Sequence, residues 1–415
     1  MFDVTDKEKQ VFTGFVNQLV KWSKGGETPT NGNQDTAYYL NLQKERLQKK
    51  GLRLQYDLRE RENFEVHGTT KRSNKYTCTM AWQSFFKKTS IFQGNKRIYQ
   101  HKDNELVYGI VTSMNQSEMT GEETYVCPNC GGVSTINQLF KGCPYCETRF
   151  TMEDLYPKVT NHFFLRDYGQ NEKEMKAMTI KYVLIGMVIC CIIMLFLGLM
   201  DTMKGREFNL SSRIFKGCLI GGFYGLLAVP LSLFFGILKD AIKTLPILSR
   251  TTGTKKKITE ILSAYDNTFS YDHFVSRVLA LLKMIVYSYD RTDMPAYDKP
   301  EKGPDYSDIV ESVYRGAMAL KNHTVENGYC YLELEVIMVD LCLKGGRIKR
   351  VEESFFMVIC KNIEKPENFG FSIKKVQCKG CGASFDATRI KHCPHCRSEY
   401  ELKEDDWVVL SIWRQ

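Results

Sequence analysis

Two stretches of this chain carry no charge at all. Residues 182–200 read YVLIGMVICCIIMLFLGLM and residues 217–238 read GCLIGGFYGLLAVPLSLFFGIL. An α-helix rises about 1.5 Å per residue, so about 20 apolar residues cross the hydrocarbon of a bilayer. Runs of 19 and 22 residues have that length. A buried core helix is the competing reading, but two such runs close together, with charges at both ends, favour membrane spans over 182–200 and 217–238. Gly221, Gly222 and Gly225 leave room for close helix contact. Pro230 would break a helix in water, whereas a span tolerates it when neighbours satisfy the freed carbonyl.

The linking segment, DTMKGREFNLSSRIFK, is short. The runs therefore form a hairpin over 181–238 that places residues 1–180 and 239–415 on one side of a membrane. Lys204, Arg206, Arg213 and Lys216 lie in the link. The outer flanks hold Arg166, Lys173, Lys176 and Lys181 before the hairpin, then Lys239, Lys243, Arg250 and Lys255 to Lys257 after it. Ten flanking cations against four put both large regions in the cytoplasm by the positive-inside bias. The expected location is the plasma (inner) membrane, with both termini cytoplasmic. The opening MFDVTDKEKQ has no apolar signal core, and paired cysteines without one suit a reducing compartment.

Those cysteines form two sets. Cys127, Cys130, Cys143 and Cys146 are spaced C-x2-C-x12-C-x2-C; Cys378, Cys381, Cys393 and Cys396 are spaced C-x2-C-x11-C-x2-C. Two residues between cysteines let one tight turn aim both sulfurs at a single ion, and four thiolates complete a structural zinc tetrahedron. Gly131 and Gly382 follow the second cysteine of each first pair and suit that turn. The intervening loop fits a short hairpin, so each set reads as a zinc ribbon, with two structural zinc ions in all. Disulfides and a redox C-x-x-C compete with this reading, but redox chemistry needs only one pair. His392 and His395 sit inside the second set, where four cysteines already suffice. A filled coordination sphere leaves no open position for catalysis.

The repeat extends beyond the ribbons. CYLELEVIMVDLCLKGGRIKR alternates apolar and polar residues, turns at Gly345-Gly346, and leads into ESFFMVICKN. KYTCTMAWQSFF alternates likewise and leads into a turn at Gly94-Asn95 and then ELVYGIVTSM. Each turn lies 33 residues before its ribbon, which points to a duplication with a period near 250 residues. Helices open each half. Phe12, Phe15, Val16 and Leu19 share a face, followed by TAYYLNLQKERLQKKG; Phe274, Val278, Leu281, Leu282 and Ile285 share another, followed by DYSDIVESVYRGAMALKN as a second helix. Helices followed by antiparallel strands imply an α+β fold, compatible with two domains of nuclear transport factor 2-like type, in which helices cover a curved sheet.

FSYDHFVSRVLALLKMIVYSYDR, then SDIVESVYRGAMALK, then EESFFMVICKN resembles the translocase-of-inner-membrane subunit 44-like domain in its bacterial zinc-ribbon relatives. The match covers about residues 259–372; Tyr287 and Tyr289 occupy the region where the family carries a tryptophan. The resemblance implies a membrane-associated tether that contacts lipid and protein partners.

The expected division is an α+β domain over 1–123, a zinc ribbon over 124–165, the hairpin over 181–238, a second α+β domain over 255–373 and a second ribbon over 374–415. Residues 43–102 hold 15 Lys and Arg against 5 Asp and Glu, so this window outweighs the whole chain's formal charge of +9. Such a window reads first as a solvated basic face; it also suits anionic lipid or an acidic partner, and less readily nucleic acid. The seven histidines form no Ser/His/Asp or H-E-x-x-H set, and His273 beside Asp272 reads as a helix start capped by aspartate. Cys330, Cys342 and Cys360 read as buried strand residues. The expectation is a membrane-anchored cytoplasmic scaffold or tether with an unidentified protein partner, not an enzyme. A membrane-held nucleic-acid binder, or a small-molecule sensor or enzyme using a pocket in the second domain, are the alternatives.

Overall fold

In a computed structural model, residues 5–61, 65–73, 76–114, 124–127, 130–135, 138, 143–146, 157–167, 172–204, 209–267, 269–299, 303–364, 375–386, 390–404 and 406–415 are described. Helix α1 (Asp6–Ser23) opens with a reciprocal cap in which Thr5 and Glu8 each satisfy the other's backbone amide. Its buried face is Phe12, Phe15, Val16, Leu19 and Trp22, one stripe at helical spacing. Helix α2 (Gln34–Lys49) is capped by Asn33, whose side chain accepts from the Thr36 amide.

Both helices cover an antiparallel sheet. Its members are β1 (Leu52–Glu60), β2 (His67–Arg72), β3 (Tyr76–Gln93) and β4 (Lys96–Met114), then, after the small hairpin β5 (Thr124–Val126) and β6 (Val133–Thr135), β7 (Lys158–Arg166). The order is β1-β3-β4-β7, with β2 also on β3. Gly109 in β4 makes room for the α1 stripe, since a Cβ there would lie 2.7 Å from the Phe12 ring.

Helices α3 (Glu172–Met203) and α4 (Leu210–Thr251) follow. Residues 168–250, with 61–63, form a compact unit of their own; the rest of the chain forms the other. Apolar windows run over Met175–Met203 and Leu210–Gly236, with mean hydropathies of 3.0 and 2.0. Only 6% and 22% of these windows is buried, which argues against a soluble core helix. Ile192, Phe196 and Phe223 point outward, each more than 60% exposed. The helices meet along a glycine ladder. A Cβ on Gly221 would fall 2.4 Å from the Gly186 carbonyl oxygen, one on Gly225 2.6 Å from that of Tyr182, and one on Gly217 2.8 Å from Cys191 Cα. The expected Gly222 is only at the margin of this contact, beside Met187 Cε. Helix α4 continues through Pro230.

After the hairpin come α5 (Thr254–Ser263) and α6 (Tyr271–Tyr287), then β8 (Ile309–Glu326), β9 (Tyr329–Lys344) and β10 (Arg347–Asn362). The small hairpin β11 (Lys375–Gln377) and β12 (Ser384–Asp386) precedes the final strand β13 (Val408–Arg414). This second antiparallel sheet has the order β13-β10-β9-β8. The turns at Gly94-Asn95 and Gly345-Gly346 join β3 to β4 and β9 to β10, as the sequence predicts.

Four expectations need correction. DYSDIVESVYRGAMALKN is not a helix: its residues from Ile309 form β8, which carries register shifts at Ile309/Glu311, Tyr314/Ala317 and Leu320/Asn322 against β9. Each bulge breaks the two-residue alternation, and the resulting spacing imitates a helical one. The cap of α6 is Ser270, whose hydroxyl accepts from the His273 amide, while Asp272 pairs with Lys71 and Lys255. The expected ribbon bounds 124–165 and 374–415 reach too far: β7 returns to β4 after the first ribbon and β13 returns to β10 after the second.

Finally, the two halves share one core. Every residue of α6 from Phe274 to Tyr287 is buried, against elements of both sheets. Burial of a large apolar side chain contributes about 1.5–3 kcal/mol, so this helix alone is a major source of stability. Polar joints accompany it. Arg46 of α2 is 1% exposed and donates to the carbonyls of Tyr306 (2.6 Å), Ile309 (3.2 Å) and Ser288 (3.2 Å). Gln43 donates to the Val310 carbonyl, and the Tyr56 hydroxyl donates to Glu311.

Candidate metal centres

Each ribbon begins at a short hairpin that positions its first cysteine pair. In the first, the Cys127 amide donates to the Gly132 carbonyl at 2.8 Å and the Gly131 amide returns to the Cys127 carbonyl at 2.9 Å. In the second, the Cys378 amide donates to Ala383 at 2.9 Å and the Gly382 amide to Cys378 at 2.8 Å. Gly131 and Gly382 have φ of +77° and +75°, a region costly for any residue with a Cβ. The second pair of the second ribbon repeats the turn: Cys393 donates to Ser398, Arg397 donates to Cys393, and Arg397 itself takes φ +63°.

These turns gather all eight predicted ligands into two clusters, Cys127/Cys130/Cys143/Cys146 and Cys378/Cys381/Cys393/Cys396. Within each, the sulfurs all lie within 4.8 Å of one another. Cys127–Cys146 and Cys130–Cys143 are 3.7 and 3.6 Å apart; Cys378–Cys396 and Cys381–Cys393 are 3.4 and 3.7 Å apart. A tetrahedral ion with sulfurs at about 2.3 Å needs edges of about 3.8 Å, whereas a disulfide needs about 2 Å. The clusters therefore fit metal ions. Four thiolates this close repel one another unless a cation neutralises them, which couples metal binding to folding.

Backbone and side-chain donors surround the sulfurs. Gly132 N–H lies 3.4 Å from Cys130 Sγ and Gly380 N–H 3.3 Å from Cys378 Sγ. The Ser398 hydroxyl lies 2.9 Å from Cys378 Sγ and 3.1 Å from Cys396 Sγ, a contact the spacing did not signal. His392 is exposed, with Nδ1 4.0 Å from an Asp293 carboxylate oxygen, and His395 is exposed. Neither joins the sulfur cluster. Strand β5 of the first ribbon lies beside β11 of the second.

The remaining cysteines of the second sheet are buried, and burial pushes the thiols of Cys330 and Cys342 up to about 12 and that of Cys360 to about 11. Such thiols are inert at neutral pH. His273 stacks on Tyr76 with ring centroids 4.3 Å apart. Within the first sheet Lys87 pairs with Glu105 at 2.9 Å, and between the halves Lys283 reaches the Asn161 oxygen at 3.5 Å and the His162 carbonyl at 3.4 Å. All of these side chains are more than nine-tenths buried and act as internal joints. A shallow cavity of about 570 Å³ lies at the β13 edge, lined by residues that include Tyr297, Lys299 and Trp413.

One end of the larger unit is strongly basic. Leu52 pairs with Gln93, so β1 begins at the β3–β4 turn. Strand β10 lies beside β4, and the guanidinium of Arg350 meets His101 Nε2 at 3.0 Å, so the β9–β10 turn falls at the same end. Arg53, Lys96, Arg97, Arg347, Lys349 and Arg350 are all exposed there. The sequence revealed only the first-half members of this patch.

No protein-family model, curated protein or solved structure matches the chain.

Proposed function

We propose that this protein is a membrane-anchored scaffold, with α3 and α4 crossing the bilayer and the larger unit held in the cytoplasm to bind a protein partner. The exposed apolar surface of the α3–α4 pair carries this reading, because water does not tolerate such a surface on a free monomer. In this reading both sulfur clusters hold zinc as structural ions, and the basic end faces anionic headgroups, each cation contributing about 1 kcal/mol near the surface. Matching strand order around two ribbons supports descent from a duplicated module. The nuclear transport factor 2-like reading rests on the helix-then-sheet order, and the resemblance to the translocase-of-inner-membrane subunit 44-like domain is what implies tethering.

The test has two parts. The full-length protein should stay in membranes after alkaline carbonate extraction, and protease added outside sealed cells should spare both termini. Reconstituted protein should recruit vesicles containing phosphatidylglycerol over neutral ones, and charge reversal at Arg347, Lys349 and Arg350 should abolish the preference. Salt-sensitive RNA or DNA retention that exceeds vesicle recruitment would favour nucleic acid as the ligand of the basic end. Release by carbonate would overturn the membrane reading.

A further inference from the structure

Two thiols face each other inside the α3–α4 pair. Cys191 of α3 and Cys218 of α4 bring their sulfurs to 3.6 Å, and both side chains are half-buried. A second observation concerns the backbones. Gly217, which precedes Cys218, sits so close to α3 that a Cβ on it would lie 2.8 Å from Cys191 Cα and 2.9 Å from Cys191 Sγ. The backbones of α3 and α4 approach this closely only because residue 217 lacks a side chain, and a disulfide between helices needs such an approach. Side-chain rotation then has only about 1.5 Å to close between the sulfurs.

The chemistry of the site narrows its use. Both cysteines lie within the apolar windows Met175–Met203 and Leu210–Gly236. Among the described residues, neither belongs to a group of three or more metal-ligating side chains. Charged thiol reagents such as glutathione do not enter hydrocarbon, whereas a lipid-soluble quinone does. Joining two thiols as a disulfide releases two protons with two electrons, and a quinone takes up both.

We infer that Cys191 and Cys218 are a membrane-embedded redox dithiol, oxidised to an interhelical disulfide by a lipid-soluble quinone. Two S–H bonds break and one S–S bond forms. The two electrons and two protons released reduce the quinone to its quinol, so the step balances without water or metal. The product fastens α3 to α4 at the glycine ladder and removes the freedom of the two helices to slide or part. This inference rests on the reading that the two helices span a bilayer.

The experiment uses full-length protein in phospholipid nanodiscs with decylubiquinone, whose fully substituted ring oxidises thiols without adding to them. Trypsin cuts after Lys181, Lys204, Lys216 and Lys239 leave Cys191 and Cys218 on separate peptides. The expected result is a linked pair of those peptides under non-reducing mass spectrometry, with one quinol formed per link. Cys218→Ser should abolish both, and Cys190→Ser should leave both intact. Copper–phenanthroline, an oxidant that tests proximity alone, should give the same link. Absence of the link with copper–phenanthroline overturns the pairing, and a link with copper–phenanthroline but none with the quinone overturns the redox assignment. Loss of the link in Cys190→Ser with retention in Cys191→Ser overturns the choice of residue. Alkaline carbonate extraction is run in parallel: protein that stays in the membrane yet fails to link defeats only this inference, whereas extracted protein defeats the membrane reading.

Discussion

Arg277 Nη1 lies 2.8 Å from Asp35 Oδ2, and its Nη2 lies 2.8 Å from Asp406 Oδ2. One guanidinium on α6 thus ties the first turn of α2 to the segment that leads into β13. Its side chain is 9% exposed, and those of Asp35 and Asp406 are 13% and 24% exposed. Removing the cation strands two carboxylates with little water. Arg277→Met should destabilise the protein by about 3 kcal/mol, near the lower end for a broken buried pair because Asp406 is partly solvated. Thermal unfolding in detergent, followed by tryptophan fluorescence, measures this. Replacing both partners as well, with Asp35→Asn and Asp406→Asn, should recover much of the loss.

The sulfur clusters set a stoichiometry. Purified protein should carry two metal ions per chain, one for each cluster, read by inductively coupled plasma mass spectrometry. Cys130→Ser should reduce this to one, and Cys130→Ser with Cys381→Ser should leave none bound tightly. Excess chelator should unfold the ribbons, because their small hairpins bring little core of their own. Full metal content in the double variant would disprove the assignment of ligands.

Two buried groups give stability opposite slopes with pH. Burial holds the Asp340 carboxyl up at about 8 against 3.8 for the free group, although Ser312 donates to it at 2.6 Å. Between those values the folded chain keeps a proton that the unfolded chain has lost, so stability falls as pH rises from about 4 to about 8. Burial lowers Lys283 to about 7 against 10.5. From about pH 7 to about 10.5 the unfolded chain holds the proton and the folded chain does not, so stability rises across that window. Asp340→Asn should therefore stabilise the protein at pH about 8 by about 2 kcal/mol and change little near pH 4. Lys283→Met should stabilise most below about pH 7, where the wild-type chain bears the full cost of a buried ammonium. Melting curves at a series of pH values separate the two.

The glycine ladder predicts a steric result. Gly221→Leu places atoms where the Gly186 carbonyl now lies, 2.4 Å from the first carbon added. The helices must then separate, and the yield of copper–phenanthroline cross-linking between Cys191 and Cys218 should fall sharply. Gly236→Leu, at a position with open space around it, should leave that yield unchanged.

Much of this was legible because it is local. The α1 stripe, the two apolar runs, both turns of the long hairpins and both cysteine sets are patterns within about 20 residues of sequence. The shared core was not legible, since its signals are long-range: Arg46 and Gln43 look like surface positions of a basic helix, yet their partners lie 242–267 residues away. Lys283 likewise marks an exposed face in any local reading, and only β7 of the first sheet and Tyr39 of α2, more than 100 residues earlier, reveal that this face is covered. Strand β8 hid behind its bulges. The return of β7 and β13 into their sheets was missed because a ribbon separates each from its neighbour by more than 40 residues, as in Ile110 opposite Asn161.

The placement of α6 fixes a timetable. A ribosome makes the first sheet, then α3 and α4, and only afterwards the helix that both sheets enclose. Until residue 287 has emerged, Tyr39, Arg46 and His162 belong to a half-molecule whose covering helix does not yet exist. If α3 and α4 span a bilayer as proposed, they insert in the meantime. A nascent chain paused at that point would present an uncovered sheet, the kind of surface that chaperones hold or that aggregates. On the proposed membrane reading, insertion of α3 and α4 is thus an intermission in the folding of the larger unit.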